Sequence, residues 1–149
     1  MKSELADYPL SQLKADKKTQ WTGVRNYQAR NFLQKMAIGD KLLFYHSNAE
    51  PSGVAGTATV IKLAFPDVTQ FNKKSAYFDP KSSVEKPRWF GPEIQFCSAF
   101  KRIVALEELR NEKRLSELAL LQRGSRLSVH PVTAQQFGII VELGASDIK

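Results

Sequence analysis

Thiol chemistry is nearly missing from this chain. Cys97 is its one cysteine, which excludes an internal disulfide and any thiolate zinc cluster. Histidine is almost as scarce: His46 and His130 are the two present, too few beside one thiol to build a zinc site. No apolar run approaches the roughly 18 residues a bilayer span needs, and no hydrophobic stretch follows Met1-Lys2-Ser3-Glu4, so neither a membrane span nor a signal peptide is expected. The phosphate-cradling G-x-G-x-x-G and Walker A loops are absent, as are the H-E-x-x-H and G-x-S-x-G signatures of hydrolases. No repeat, low-complexity tract or linker divides the 149 residues, a length typical of one domain. The expectation is a single domain over residues 1–149, monomeric, without metal or cofactor. Its compartment would be the cytoplasm, or the nucleus in a eukaryote.

Negative charge is also in short supply. Twenty-two Lys and Arg face 15 Asp and Glu, a net charge of +7, with a pI near 9.6. That is the balance of a nucleic-acid-binding domain. Successive thirds of the chain carry +3, +2 and +2, so a folded surface, not a basic tail, must present the excess. Charge alone fits a solvated basic surface without a partner equally well.

Periodicity supplies the elements. Pro9 to Lys14 reads as a short helix, and Asn26 to Met36 as a longer one. The second has Ala29, Phe32, Leu33 and Met36 on one stripe and Gly39 just past its end. Lys41 to His46 is a dense apolar run, a buried strand. A turn over Asn48 to Gly53 leads to a second strand, Val54 to Leu63, with Val54, Gly56, Ala58 and Val60 on one face. Together they predict an antiparallel hairpin. Residues 66–92 form a Pro-, Ser- and aromatic-rich loop of the length that usually carries function or is disordered. Alternation from Glu93 through Phe100 predicts a strand with Cys97 as a small core residue. A helix follows over Leu106 to Glu117. A Gly-led turn at Arg123-Gly124-Ser125 then enters a short strand ending near Val129. Thr133 and Gln136 form a capping box for a last helix ended by Gly144. Without regular β-α-β spacing, the class is α+β, a small curled sheet with peripheral helices.

Catalytic constellations are poor. His46 and Ser47 are strand neighbours and point to opposite faces, and Asp67, Asp79 and Glu93 imply no carboxylate dyad. Binding chemistry is richer. Gln20 to Asn31 packs Trp21, Arg25, Asn26, Tyr27, Gln28 and Arg30 into a dozen positions. Phe44-Tyr45-His46-Ser47-Asn48 ends a strand in polar groups, and Arg123 to Val129 joins two cations to hydroxyls. Arg, Asn and Gln can read base edges, and aromatics offer stacking worth roughly 1–3 kcal/mol per base. Taken singly, Asn26 can equally cap a helix, Trp21 and Tyr45 can be core, and the arginines can be surface. Their clustering points to a pocket.

These segments resemble one family. Met1-Lys-Ser-Glu4, Trp21-Thr-Gly-Val-Arg-Asn-Tyr-Gln-Ala-Arg-Asn31, Phe44-Tyr-His-Ser-Asn48, Pro51-Ser-Gly-Val-Ala-Gly56, Phe65-Pro-Asp67, Pro87-Arg-Trp89 and Gly124-Ser-Arg-Leu-Ser-Val-His-Pro-Val132 occur in the order found in EVE domain proteins, including the thymocyte nuclear protein type. The resemblance implies a PUA-like fold, a small curled β-barrel with flanking helices, similar to the YTH domains that read N6-methyladenine. It implies a non-catalytic reader of a modified base in DNA or RNA, 5-methylcytosine and its oxidised relatives being the DNA ligands proposed for the family. Matched position by position, it puts Lys2, Ser3, Trp21, Asn26, Tyr45, Ser47 and Trp89 at the base pocket. Trp21 is one wall there and Trp89 a second wall or lid. Arg25, Arg30, Arg126 and Ser128 fall where phosphates would be met. Leu5 stands where the family usually has proline, and few residues precede Lys2, so a short first strand is expected. Two rival readings remain: an enzyme on a nucleotide or small heterocycle with His46 as base, and a protein-interaction module docking through Phe78 and Phe90.

Overall fold

The computed structural model describes residues 1–124 and 126–146. Strand β1 (Lys2–Glu4) leads to helix α1 (Leu10–Asp16), strand β2 (Lys18–Gln20) and helix α2 (Tyr27–Lys35). The long antiparallel strands β3 (Lys41–Ser47), β4 (Gly53–Pro66) and β5 (Phe90–Ala105) follow. Helices α3 (Leu106–Asn111) and α4 (Ala134–Ala145) close the chain. The sheet order is β1-β3-β4-β5-β2, with β1 parallel to β3 and every other pair antiparallel. The ladders of β4 are interrupted by register shifts, one against β3 at Phe44/Tyr45 and four against β5. Bulges of this kind bend a strand and increase its twist, so the sheet curls into a half-barrel whose two edges are β1 and β2.

The apolar run of β3 is buried on both faces. Leu42 and Phe44 join one core with Leu13, Ala29, Leu33 and Ile94, under α1 and α2. Leu43 and Tyr45 join another with Val104, Leu109, Leu118 and Ile140, under α3 and α4. Period-two alternation sorts these side chains between the faces. The hairpin, the stripe of α2 and the capping box of α4 form as the sequence predicts: Ala29 and Leu33 are buried in the first core with Phe32 and Met36 packed against it, and Thr133 and Gln136 exchange both bonds.

Several boundaries differ. The expected helix over 106–117 stops at Asn111; short 3₁₀ turns at Lys113–Leu115 and Ala119–Leu121 follow it, with Leu115 and Leu118 buried. No strand forms over 126–129. That segment runs extended beside β1, with the Lys2 N–H donating to Ser128 O at 2.8 Å, and Ser125 of the preceding turn lies outside the described residues. Gly144 does not end α4 but lies within it, where the Phe100 ring occupies the space of a Cβ. Cys97 is exposed, not core. It shares the outward side of β5 with Gln95 and Ala99, all exposed, while Ile94 and Phe96 turn to the core. Gly39, with φ of +94°, turns the chain into β3 instead of capping α2, which ends at Lys35 with Met36 as its C-cap. Among the described residues no helix is long and apolar enough to cross a membrane.

Candidate functional site: a cavity at the seam of the curled sheet

Two cavities stand out among the described residues. The larger, about 630 Å³, is lined chiefly by apolar side chains from Met1, Phe32, Met36, Leu42, Val129 and Phe137. The smaller, about 510 Å³, lies between the two sheet edges and is lined from both of them: Lys2, Ser3 and Glu4 of β1, and Thr19 and Gln20 of β2. The chain from Trp21 to Val24 forms one side, and Tyr8, Ser47, Tyr77, Arg126 and Ser128 complete it. Orientation of a polar ligand depends on a few convergent polar groups, and the second cavity has them.

Much of its polar lining is uncommitted. Lys2, Arg126, Thr22, Ser47, Tyr77 and Ser128 line it, and none of their side-chain polar groups donates to or accepts from another side chain or backbone group among the described residues. The indole N–H of Trp21 likewise makes no hydrogen bond there. Since no buried side-chain polar atom among the described residues lacks a partner, that N–H must reach solvent, although Trp21 is only 7% exposed. Phe44 meets the Trp21 ring edge-on at 5.6 Å and fixes its plane. Burial lowers the pKa of Lys2 from its ordinary value, so an anion beside it would restore what the amine loses. Ser3 Oγ donates to Tyr8 O at 2.7 Å, and burial, with the Asp16 carboxylate next, pushes the Tyr8 phenol up to about 12.

Backbone contacts set where Trp21 sits. Its N–H donates to Pro92 O at 2.9 Å, and its carbonyl lies so close to Gly91 that any Cβ there would collide with it. Gln20 Nε2 donates to the carbonyls of Phe65, Pro66 and Gly91 at 3.1–3.2 Å. The next turn depends on Gly23, at φ +85°, whose N–H donates to Asp67 Oδ2 at 2.8 Å. The Tyr77 ring rests on that glycine, 2.9–3.1 Å from where a Cβ would stand.

Of the sequence-predicted pocket residues, the structure brings Lys2, Ser3, Trp21 and Ser47 to this cavity, and Arg126 and Ser128 with them. It places the others elsewhere. Asn26 caps α2. Tyr45 points to the opposite core. Trp89, 6% exposed, stacks on Tyr27 at 4.8 Å and donates its indole N–H to Asp79 Oδ2 at 2.7 Å. Arg25 uses all five N–H groups internally, on Val24 O, Asp67 Oδ2, Thr69 Oγ1 and, twice, Tyr77 O. Arg30 donates to Arg88 O and Asn31 Oδ1 and lies over the Tyr27 ring at 4.8 Å.

These commitments assemble the long loop. Gln70 is fully buried, donates to the carbonyls of Asp67 and Trp89, and accepts from the N–H groups of Arg88 and Trp89. Sequence pattern does not mark Tyr77, Gln70 or Asp67 as site residues. The signal for Tyr77 is an aromatic in a loop too long to be a turn; the hub role of Gln70 has no sequence signature. The rival readings find little support. His46 is buried, its Nε2 accepts the Leu10 N–H at 3.0 Å, and burial lowers its pKa. Phe78 and Phe90 are half-buried, not protruding.

Comparison with known proteins agrees with this architecture. Human thymocyte nuclear protein 1 is 39% identical over 146 residues, which is 91% of this chain and 64% of that protein. Its zebrafish (Danio rerio) counterpart is 42% identical over 135 residues, 85% of this chain and 58% of the relative. The chain thus spans about 58–64% of the length of these curated relatives. Among solved structures, a Pseudomonas syringae protein superposes with a TM-score of 0.94 at 45% identity, covering 97% of each chain. Human THYN1 protein, in complex with 5-methylcytosine-containing DNA, superposes with a TM-score of 0.92 at 36% identity, covering 99% of this chain and 97% of that one. The curled five-stranded sheet is therefore the PUA-like fold of these proteins. With the EVE domain model matching residues 1–143, this chain belongs to the EVE domain family.

Proposed function

We propose that this chain is a non-catalytic reader that takes one modified base of a nucleic acid into the seam cavity beside Trp21. The observation that carries this reading is the gathering there of donors and hydroxyls without partners among the described residues, from Lys2, Trp21, Thr22, Ser47 and Ser128, against an aromatic ring. It is supported by the similarity to human THYN1 protein, whose structure holds 5-methylcytosine-containing DNA. In a protein of net charge +7, the reading gives the flanking phosphates to Lys2 and Arg126, which line the cavity, since Arg25 and Arg30 are engaged within the fold. A base leaving its stack costs a few kcal/mol. Stacking at roughly 1–3 kcal/mol per base and phosphate neutralisation offset that cost. A methyl group adds only about 0.8 kcal/mol, so selectivity for the modified base should be modest.

Fluorescence anisotropy tests the reading on matched DNA and RNA oligonucleotides carrying cytosine, 5-methylcytosine, 5-hydroxymethylcytosine, adenine or N6-methyladenine, at two salt concentrations. The expected outcome is a gain for one modified base, 5-methylcytosine DNA first among them, that persists at higher salt. Equal binding to all of them, erased by salt, would leave only the net charge as the binder and refute the reading.

A further inference from the structure

We infer that Tyr77 is the second aromatic surface of the base pocket, in the role that the sequence motif suggested for Trp89; this rests on the reading of the seam cavity as a base site. Trp89 does not line that cavity, and its ring and N–H are spent on Tyr27 and Asp79. Tyr77 lines it together with Trp21. Tyr77 is 43% exposed and its hydroxyl has no partner among the described residues.

Its backbone, in contrast, is held firmly. Arg25 Nε and Nη2 donate to Tyr77 O at 3.0 and 2.8 Å. The same guanidinium donates to Asp67 Oδ2, the oxygen that also accepts the Gly23 N–H. One carboxylate thus ties the turn after Trp21 to the loop that delivers Tyr77. The missing side chain at Gly23 lets the ring lie down on the backbone at the cavity wall. The Arg25 guanidinium also lies 5.5 Å from the ring centroid, and a half-exposed tyrosine with so fixed an anchor, at the wall of a cavity that already holds one aromatic, is a stacking surface in waiting.

The test compares Tyr77→Ala, Tyr77→Leu and Tyr77→Phe on single-stranded DNA carrying one 5-methylcytosine, with the cytosine oligonucleotide as control. Leu keeps bulk over Gly23 without a π-face. Ala and Leu should each weaken binding of the methylated strand by roughly 5- to 150-fold, the range one stacked base supplies. Phe should stay within about twofold of the parent, and circular dichroism should show all three variants folded at the temperature of the binding assay. Ala and Leu variants that bind and discriminate as the parent does would overturn this inference while leaving the base-pocket reading intact. A parent protein with no preference for the methylated strand would overturn that reading, and this inference with it.

Discussion

Replacing Asp67 by Asn changes almost no volume and tests whether one carboxylate holds the site together. Asp67 is 1% exposed. Its Oδ2 accepts from Gly23 N at 2.8 Å and Arg25 Nη1 at 3.1 Å; its Oδ1 accepts from Thr69 N at 2.8 Å and Thr69 Oγ1 at 2.6 Å. A side-chain amide has one acceptor oxygen, so whichever way the substituted group turned, its NH₂ would face a backbone N–H. A charge-assisted hydrogen bond is worth about 1.5–3 kcal/mol. Breaking a fully buried ion pair costs about 3–5 kcal/mol, less here because the Arg25 side chain is 22% exposed. The expected loss is about 2–4 kcal/mol, or roughly 6–12 °C in Tm for a domain of this size. Thermal melts followed by circular dichroism read it directly. A double-mutant cycle with Arg25→Gln should show at least about 1 kcal/mol of coupling between the two positions. The pH dependence gives a second check. Burial alone would raise the Asp67 pKa, but the bonds from Thr69 Oγ1, Gly23 N, Thr69 N and Arg25 outweigh it and hold it below the ordinary value. The stability it contributes is therefore present above the unfolded carboxyl pKa and lost as pH falls through the folded one, so parent and variant should converge in acid. An Asp67→Asn protein melting within about 2 °C of the parent, or an additive cycle, would refute the argument.

Two further outcomes follow from the geometry. Gly91→Ala puts a Cβ onto the Trp21 carbonyl, a backbone clash that no rotamer change relieves; overpacking of this kind costs about 1–3 kcal/mol. The urea midpoint should fall and selectivity for the modified base should fall with it, and an unchanged midpoint would contradict the close approach. Acid should weaken the fold before most carboxylates titrate. Burial lowers the pKa of His46, whose Nε2 must stay unprotonated to accept the Leu10 N–H, and burial, then Lys2, lowers that of His130 to about 4. The unfolded chain then binds more protons than the folded one below the ordinary histidine pKa, so stability declines as pH drops from about 6.5. Equal unfolding free energies at pH 7.5 and 5.5 would rule this out.

What the sequence made legible follows from how local each cause is. The apolar stripe of α2, the capping box of α4 and the β3–β4 hairpin depend on local sequence pattern, and all three formed as read. The motif beginning at Trp21 was legible as a binding segment, yet its residues part company in space. Trp21 enters the cavity, Asn26 turns away to cap a helix, and Arg25 and Arg30 spend their donors on Tyr77 O, Asp67, Arg88 O and Asn31. A run dense in polar and aromatic side chains shows that they bind something; partners 42 to 58 positions away decide what. Gln70 was invisible for the same reason. An ordinary loop glutamine became the buried hub of residues 67–89 because Trp89 and Arg88 return to it.

The location of the cavity has a cause in the sheet. An open sheet ends in two strands with unpaired backbone groups, and proteins must cover, twist or charge such edges. Here both edges are only three residues long, and curling brings them toward each other with α1 between them in the chain. The helix contributes Leu10 and Leu13 to the core beneath, but Tyr8 and Asp7, just before it, line the gap instead of filling it. Side chains from two edges, from the turn at Gly23 and from the loop tip at Tyr77 therefore converge at the one place where the sheet does not close. A closed barrel would pair those edges and leave no such space. Residues carrying recognition chemistry can thus vary around the seam while the bulged β4–β5 ladder and the two cores on either side of β3 keep the geometry of the gap.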